Sequence, residues 1–85
     1  MHVREAVELA KREVVALFGL EMPQNIGLEE VDYDERRKIW HITIGFSRPW
    51  ELQITALQRR SYKVVSIAEK DGRVLSVKNH QTANA

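Results

Sequence analysis

The first eighteen residues carry apolar side chains at intervals of three and four positions. This spacing lines one face of an α-helix, because a helix turns once every 3.6 residues. The opposite side is charged, so the pattern predicts an amphipathic helix over residues 3–18. Gly19 is placed to end this helix, and Pro23 follows shortly after it. The predicted apolar face consists of Val3, Val7, Ala10, Val14, Leu17 and Phe18.

The remainder of the chain alternates apolar and polar residues, which is the pattern of β-strands. In the clearest run, Trp40, Ile42, Ile44 and Phe46 occupy every second position. Shorter runs of the same kind precede and follow it. The predicted strands span about residues 28–33, 38–46, 61–69 and 73–78, and the polar tail 79–85 is expected to fray.

Turn residues indicate how these strands connect. The charged run Asp34–Arg37 predicts a turn after the first strand, and Asp71-Gly72 predicts a type I′ hairpin between the last two. One helix followed by neighbouring strands packs as an α+β fold, with the helix on one face of a three- to four-stranded antiparallel β-meander. The 85 residues are expected to form a single domain.

The alternation also assigns side chains to the two faces of the sheet. In the first strand, Leu28 is expected on the face opposite to Val31 and Tyr33. One helix covers only one face, so apolar residues on the other face need a further cover. We expect Thr43, Val65 and Ile67 on that other face.

Composition narrows the range of functions. The 13 basic and 12 acidic residues give a net charge of +1, which does not favour binding to nucleic acid or to a membrane surface. The chain has no cysteine, which excludes disulfides and thiolate metal sites. It begins with charged residues rather than the apolar core of a signal peptide, and no segment is long enough to span a bilayer. We therefore expect a cytoplasmic protein without membrane contact.

Residues that carry out chemistry in other proteins are dispersed along this chain. The histidines His2, His41 and His80 lack metal-ligand spacing, and His41 is expected on the polar face of its strand. Acidic residues cluster between Glu29 and Glu35 without the glycine-bearing loop of a calcium site. No phosphate loop or nucleophile elbow is present. We expect no catalytic activity, no cofactor and no metal.

One resemblance extends over nearly the whole chain. The residues that carry it are Leu17-Phe18-Gly19, Leu28-Glu29-Glu30-Val31, Trp40-His41-Ile42-Thr43-Ile44, Tyr62-Lys63-Val64-Val65 and Asp71-Gly72-Arg73-Val74-Leu75-Ser76-Val77. The arrangement resembles PepSY-type domains, small modules in which an N-terminal helix packs across a short antiparallel sheet. This resemblance implies a regulatory module that restrains a peptidase, in a family whose members are usually exported or membrane-tethered.

The segment between the second and third predicted strands is rich in apolar and basic residues. Two interpretations stay open: it packs back onto the sheet as a cover or an edge strand, or it forms an exposed patch that docks another protein. The candidate partner-binding residues are Arg48, Trp50, Leu52, Ile54, Arg59 and Arg60.

These observations favour a non-enzymatic protein-binding or regulatory module. Peptidase-modulating inhibitors, immunity-like inhibitors and a homodimer formed through the sheet all belong to this class, because an exposed strand can pair with an extended segment of a partner. The alternative is a small nucleic-acid-binding regulator, which the net charge disfavours. That alternative would use the basic residues Arg36, Arg37, Arg59 and Arg60.

Overall fold

The structure, a computed structural model, describes residues 1–49 and 60–80. Helix α1 spans Val3–Phe18 and continues as a 3₁₀ turn over Gly19–Glu21. Within the described residues, the strands are β1 (Gln24–Asp34), β2 (Ile39–Ser47), β3 (Ser61–Ala68) and β4 (Val74–Asn79). They form one antiparallel sheet in the order β1-β2-β3-β4. The predicted fold class, an N-terminal helix on an antiparallel meander, is confirmed.

α1 packs mainly over β2 and β3 and touches β1 less. The small side chains of Ala6 and Ala10 are fully buried and let the helix lie close to the sheet. At the C-terminal end of α1, the Phe18 ring packs against the Phe46 ring with 5.6 Å between centroids. Each large side chain buried here stabilises the fold by about 1.5–3 kcal/mol. The core consists of Ala6, Ala10, Val14, Ile42, Ile44, Phe46, Val65 and Ile67.

The ends of α1 differ from one another in how they are held. At the start, the Glu5 carboxylate accepts a hydrogen bond from the His2 N–H at 2.8 Å, which satisfies a free donor near the helix N-terminus. At the other end α1 stops at Phe18 as predicted, but Gly19 keeps a right-handed helical φ of −58°. The left-handed residue is Met22 at φ 54°, whose N–H donates to the Gly19 carbonyl at 3.0 Å. This conformation costs a non-glycine residue about 1–2 kcal/mol.

Two β-bulges in β1 change which of its side chains share a face. Glu29 is the extra residue of one bulge, because Leu28 pairs with Ile44 and Glu30 already pairs with Thr43. Cross-strand partners lie on the same face, so Leu28 falls on the helix side with Val31. The prediction that separated Leu28 from Val31 and Tyr33 was wrong, because a bulge breaks the two-residue period of a strand.

The expected position of Val65 and Ile67 was also wrong. Val65 pairs with Ile42 and Ile67 pairs with Trp40, which places both β3 residues on the helix side, where they are fully buried. The antiparallel register between β2 and β3 decides this face, and register cannot be read from β3 by itself. Thr43 does lie on the opposite face, and it is 5% exposed.

Strand boundaries differ from the predictions at both ends of the sheet. β1 begins four residues before the predicted position 28, since Gln24 already pairs with Ser47. At the other end Asn79 belongs to β4, and the His80 N–H donates to the Tyr62 carbonyl at 3.0 Å. These two residues of the predicted tail are therefore held by β3, whereas residues 81–85 lie outside the described part.

The predicted Asp71-Gly72 hairpin is confirmed, but its turn type is not I′. Of the two residues, only Gly72 has a positive φ, at 74°. The loop between Ala68 and Val74 has five residues rather than two, and the Gly72 N–H donates to the Ala68 carbonyl at 2.9 Å. Loops of this length are usually built around a type I turn, which needs left-handed backbone only near its end.

Candidate protein-binding site

Most of the sequence-predicted partner-binding residues fall where the structure gives no description. Trp50, Leu52, Ile54 and Arg59 lie outside the described residues, whereas Arg48 and Arg60 lie within them. Arg48 and Arg60 stand at the same end of the sheet, next to the end of β2 and the start of β3.

Arg48 holds the 3₁₀ turn against the sheet. Its guanidinium pairs with the Glu21 carboxylate at 2.5 Å, donates to the Ser61 hydroxyl and lies 5.0 Å from the centre of the Phe46 ring. The side chain is 15% exposed, so most of its surface is used within the protein. Glu21, at the end of the 3₁₀ turn, is thereby tied to the residue that follows β2.

Arg60 forms an ion pair on the face of the sheet opposite to α1. Its Nη2 lies 3.2 Å from Glu29 Oε2. The pair lies over Gly45, where an added Cβ would stand 2.7 Å from the same Glu29 oxygen and 3.0 Å from Arg60 Nη2. The absence of a side chain at Gly45 therefore makes room for a charge pair that bridges β1 and β3.

The basic residues of the nucleic-acid alternative are not gathered in one patch. Arg36 and Arg37 lie in the turn between β1 and β2, where Arg37 is 4.0 Å from the Asp34 carboxylate. Arg60 lies at the other end of β2, about 25 Å away along a strand of this length. Phosphate recognition needs basic side chains clustered on one surface, and these described arginines do not form one.

A polar cavity of about 300 Å³ opens on the sheet face opposite to α1. Within it the His80 imidazole stands 3.7 Å from the Glu30 carboxylate and edge-on to the Tyr62 ring at 6.5 Å. On the same face, half-buried His41 Nδ1 lies 2.8 Å from Ser66 Oγ, in line with the position predicted for it. Among the described residues, no group of three histidine, aspartate or glutamate side chains is arranged to hold a metal ion. The cavity is lined by Glu29, Glu30, Thr43, Tyr62 and His80.

A second cavity, of about 410 Å³, lies on the helix side between the second half of α1 and the start of β1. Val15, Ala16 and Ile26 give it an apolar floor, and the side chains of Lys11 and Arg12 complete its lining. It exists because α1 lies over β2 and β3 and leaves a gap beside β1. We call these five residues the α1–β1 groove.

Exposed apolar side chains are concentrated in the segment that leads from the end of α1 into β1. Of the eight large apolar residues exposed in the described part, five lie between residues 15 and 28. Leu20 is fully exposed at 101%, and Met22 is 64% exposed. Apart from Val15, which belongs to the groove, these residues form what we call the apolar rim. The rim consists of Leu17, Leu20, Met22 and Leu28.

The sequence did not identify this surface. Leu17 was assigned to the buried face of α1, but it is 54% exposed, because the core stripe ends on the neighbouring Val14 and Phe18. Leu20 and Met22 were assigned to a connection, where the only available signal was their apolar character. The groove joins α1 to β1 across a lateral gap that no local pattern encodes.

Comparisons with known proteins give no relative for this chain. No protein-family model matches it, no curated protein matches it, and no solved structure matches it. The resemblance to PepSY-type domains accordingly stays a prediction.

Proposed function

We propose that this chain is a non-enzymatic protein-binding module whose docking surface is the α1–β1 groove with its apolar rim. The observation that supports this proposal is an apolar groove between α1 and β1, together with the concentration of large exposed apolar side chains in the segment that joins these two elements. Exposed apolar patches that adjoin a concave surface are typical of protein interaction sites.

The way the rim is held also supports the proposal. Leu20 contributes no buried surface to the fold, yet its neighbour Glu21 is fixed by the ion pair with Arg48. Met22 adopts a left-handed backbone that is unfavourable for its residue type. An interface gains affinity when the backbone that carries its anchoring residues is already ordered before binding, because less conformational entropy is then lost.

This proposal gives Arg48 a positioning role rather than a contact role. It orients the turn that carries Leu20 and Met22 through the 2.5 Å ion pair with Glu21. Trp50, Leu52, Ile54 and Arg59 stay proposed contact residues on the grounds of their sequence. Regulation of a peptidase, or neutralisation of a toxin, is a proposed physiological use of the same docking.

Affinity capture from a nuclease-treated lysate of the native source tests the proposal, with Leu20→Ser/Met22→Ser as the diagnostic variant. We expect the wild-type protein to retain a defined protein at low and high salt, because apolar contacts are not screened by ions. The double variant should lose that protein while keeping its circular dichroism spectrum and its unfolding midpoint.

Leu75→Ser is the matched control, since Leu75 is 43% exposed on β4 at the other edge of the sheet. It should retain the partner as the wild type does. Equal capture by Leu20→Ser/Met22→Ser, or capture of nucleic acid alone that disappears as salt rises, would contradict the proposal.

A further inference from the structure

The charges of the α1–β1 groove indicate the chemistry of its occupant. Lys11 and Arg12 line the groove, and the ion pairs found among the described residues involve neither of them. Glu8 stands one helical turn before Arg12, but no ion pair joins the two. An occupant of this groove therefore meets two cations beside an apolar floor, which favours carboxylates next to apolar side chains.

The backbone of β1 disfavours an added strand at this place. Ile26, the groove residue contributed by β1, lies in a bulge between the paired residues Gln24 and Gly27. Asn25 beside it has a left-handed φ of 55°. Adding a strand needs a regular row of outward N–H and C=O groups, and bulges interrupt that row. The occupant must therefore bind through side chains rather than through main-chain pairing.

The α1 side of the groove offers a surface suited to another helix. Val15 and Ala16 follow Arg12 by three and four residues, so the three side chains share one face of α1. Ala16 is small, which lets a second helix approach to the usual interaxial distance of about 8–10 Å. Apolar residues of that helix at every third and fourth position would enter between Val15 and Ile26.

We infer that the α1–β1 groove binds an amphipathic helix of a partner protein, with carboxylates flanking its apolar stripe. This inference rests on the proposed function and specifies the partner's chemistry. The carboxylates pair with Lys11 and Arg12, and the apolar stripe covers the groove floor and part of the apolar rim.

Binding of designed peptides tests the inference. The probe is a fluorescein-labelled alanine-based helical peptide of about sixteen residues, with leucines at i, i+4, i+7 and i+11 flanked by glutamates. A second peptide carries lysines in place of the glutamates. In fluorescence anisotropy, we expect the acidic peptide to bind about tenfold more tightly than the basic one. Amide chemical shifts of the labelled protein should change at Val15, Ala16 and Ile26.

A charge reversal separates this prediction from general electrostatic attraction. Lys11→Glu/Arg12→Glu should lower the affinity for the acidic peptide and raise the affinity for the basic peptide, because the charges on the protein side of the contacts are reversed. The control Arg36→Glu/Lys70→Glu changes the net charge equally at two exposed turn positions and should leave the preference unchanged. A proline in the centre of the acidic peptide should abolish binding, since it breaks the helix.

Three results would overturn the inference. They are equal binding of the acidic and basic peptides, shifts that map outside the groove, and equal binding of an extended valine–glutamate peptide. The proposed function would survive any of these if lysate capture still depended on Leu20 and Met22. Sedimentation that shows a dimer dissociated by Lys11→Glu/Arg12→Glu, without peptide binding, would replace the partner helix with a second copy.

Discussion

β1 and β2 are hydrogen-bonded neighbours of similar length, yet their environments differ sharply. β2 is buried at every position from Ile42 to Ser47, whereas all eleven residues of β1 keep some exposure. The cross-strand pair of Leu28 and Ile44 shows the contrast most directly, because Ile44 is 0% exposed and Leu28 is 44% exposed. These two side chains are cross-strand neighbours on one face of the sheet, yet Ile44 belongs to the core and Leu28 to the surface.

The lateral position of α1 explains this difference. Its buried residues Ala6, Ala10 and Val14 pack on the apolar centre of β2 and β3. The helix therefore covers these two strands and covers little of β1. β1 lies at the edge of the sheet and is bulged and acidic. Ile26 and Val31 pack against the core only in part, and Leu28 is 44% exposed. Among the described residues, β2 and β3 therefore carry most of the core, and the β1 side carries more exposed apolar surface.

Truncating the two members of the Leu28–Ile44 pair would test this division most strongly. Ile44→Ala should lower the free energy of unfolding by about 2–5 kcal/mol, because it leaves a cavity in the core. Leu28→Ala should lower it by less than about 1 kcal/mol, since the side chain is partly in water already. Urea unfolding followed by circular dichroism measures both. Equal losses would mean that β1 contributes to the core as much as β2 does.

A substitution at Gly45 would test the contact between β1 and β2 on the face of the sheet opposite to α1. Gly45→Ala should destabilise the protein by about 1–3 kcal/mol, because its Cβ would stand 2.7 Å from Glu29 Oε2 and force the ion pair with Arg60 to move. The same substitution in a Glu29→Ala background should be less harmful. A double-mutant cycle of the four unfolding free energies gives this coupling. A coupling near zero would show that Glu29 and Arg60 do not depend on the bare backbone of Gly45.

The covered half was also the more predictable half. The extent of α1 was predicted from the spacing of its apolar residues, and β2 was predicted from the strict alternation of its large side chains. Both patterns are clear because each element buries one face against the other. β1 was predicted only in part, since its bulges depend on pairing with Ser47, Gly45 and Ile44, which are distant in sequence.

The candidate site lay beyond prediction for the same physical reason. The α1–β1 groove exists where α1 stops covering the sheet, and that border depends on how Ala6 and Ala10 seat on β2 and β3. The sequence predicted exposed apolar residues as contacts between Arg48 and Arg60, and most of that segment lies outside the described residues. Of those candidates, Arg48 is described, and it pairs with Glu21 in the 3₁₀ turn after α1.

The β1–β2 and β3–β4 hairpins allow a comparison with a smaller expected effect. Both turns close with an N–H donated to a carbonyl four residues earlier, by Lys38 to Asp34 at 2.7 Å and by Gly72 to Ala68 at 2.9 Å. Lys38 and Gly72 take left-handed φ angles of 60° and 74°. Lys38→Gly should therefore stabilise the protein by about 0.5–1 kcal/mol, and Gly72→Ala should destabilise it by about 1 kcal/mol.

Thermal unfolding of the two variants checks these opposite signs. Lys38→Ala is the control for loss of the lysine side chain, since alanine keeps the backbone strain that glycine relieves. If Lys38→Ala raised the unfolding temperature as much as Lys38→Gly did, the effect would come from loss of the lysine charge and not from backbone conformation.

Tyr33 gives the smallest test, and it concerns the acidic character of the β1 side. Partial burial raises the pKa of its phenol above the usual range, and a hydrogen bond with Glu69 and the charges of Glu69, Glu35 and Asp34 raise the pKa further. The folded protein therefore holds the phenol proton more tightly than the unfolded chain does. The stability this provides is complete below the unfolded pKa of about 10 and is lost as pH rises through the folded pKa.

Urea unfolding between about pH 8 and about pH 11 should show a steeper loss of unfolding free energy with rising pH for wild type than for Tyr33→Phe. Parallel pH profiles for the two proteins would mean that the phenol of Tyr33 does not sense the carboxylates around it.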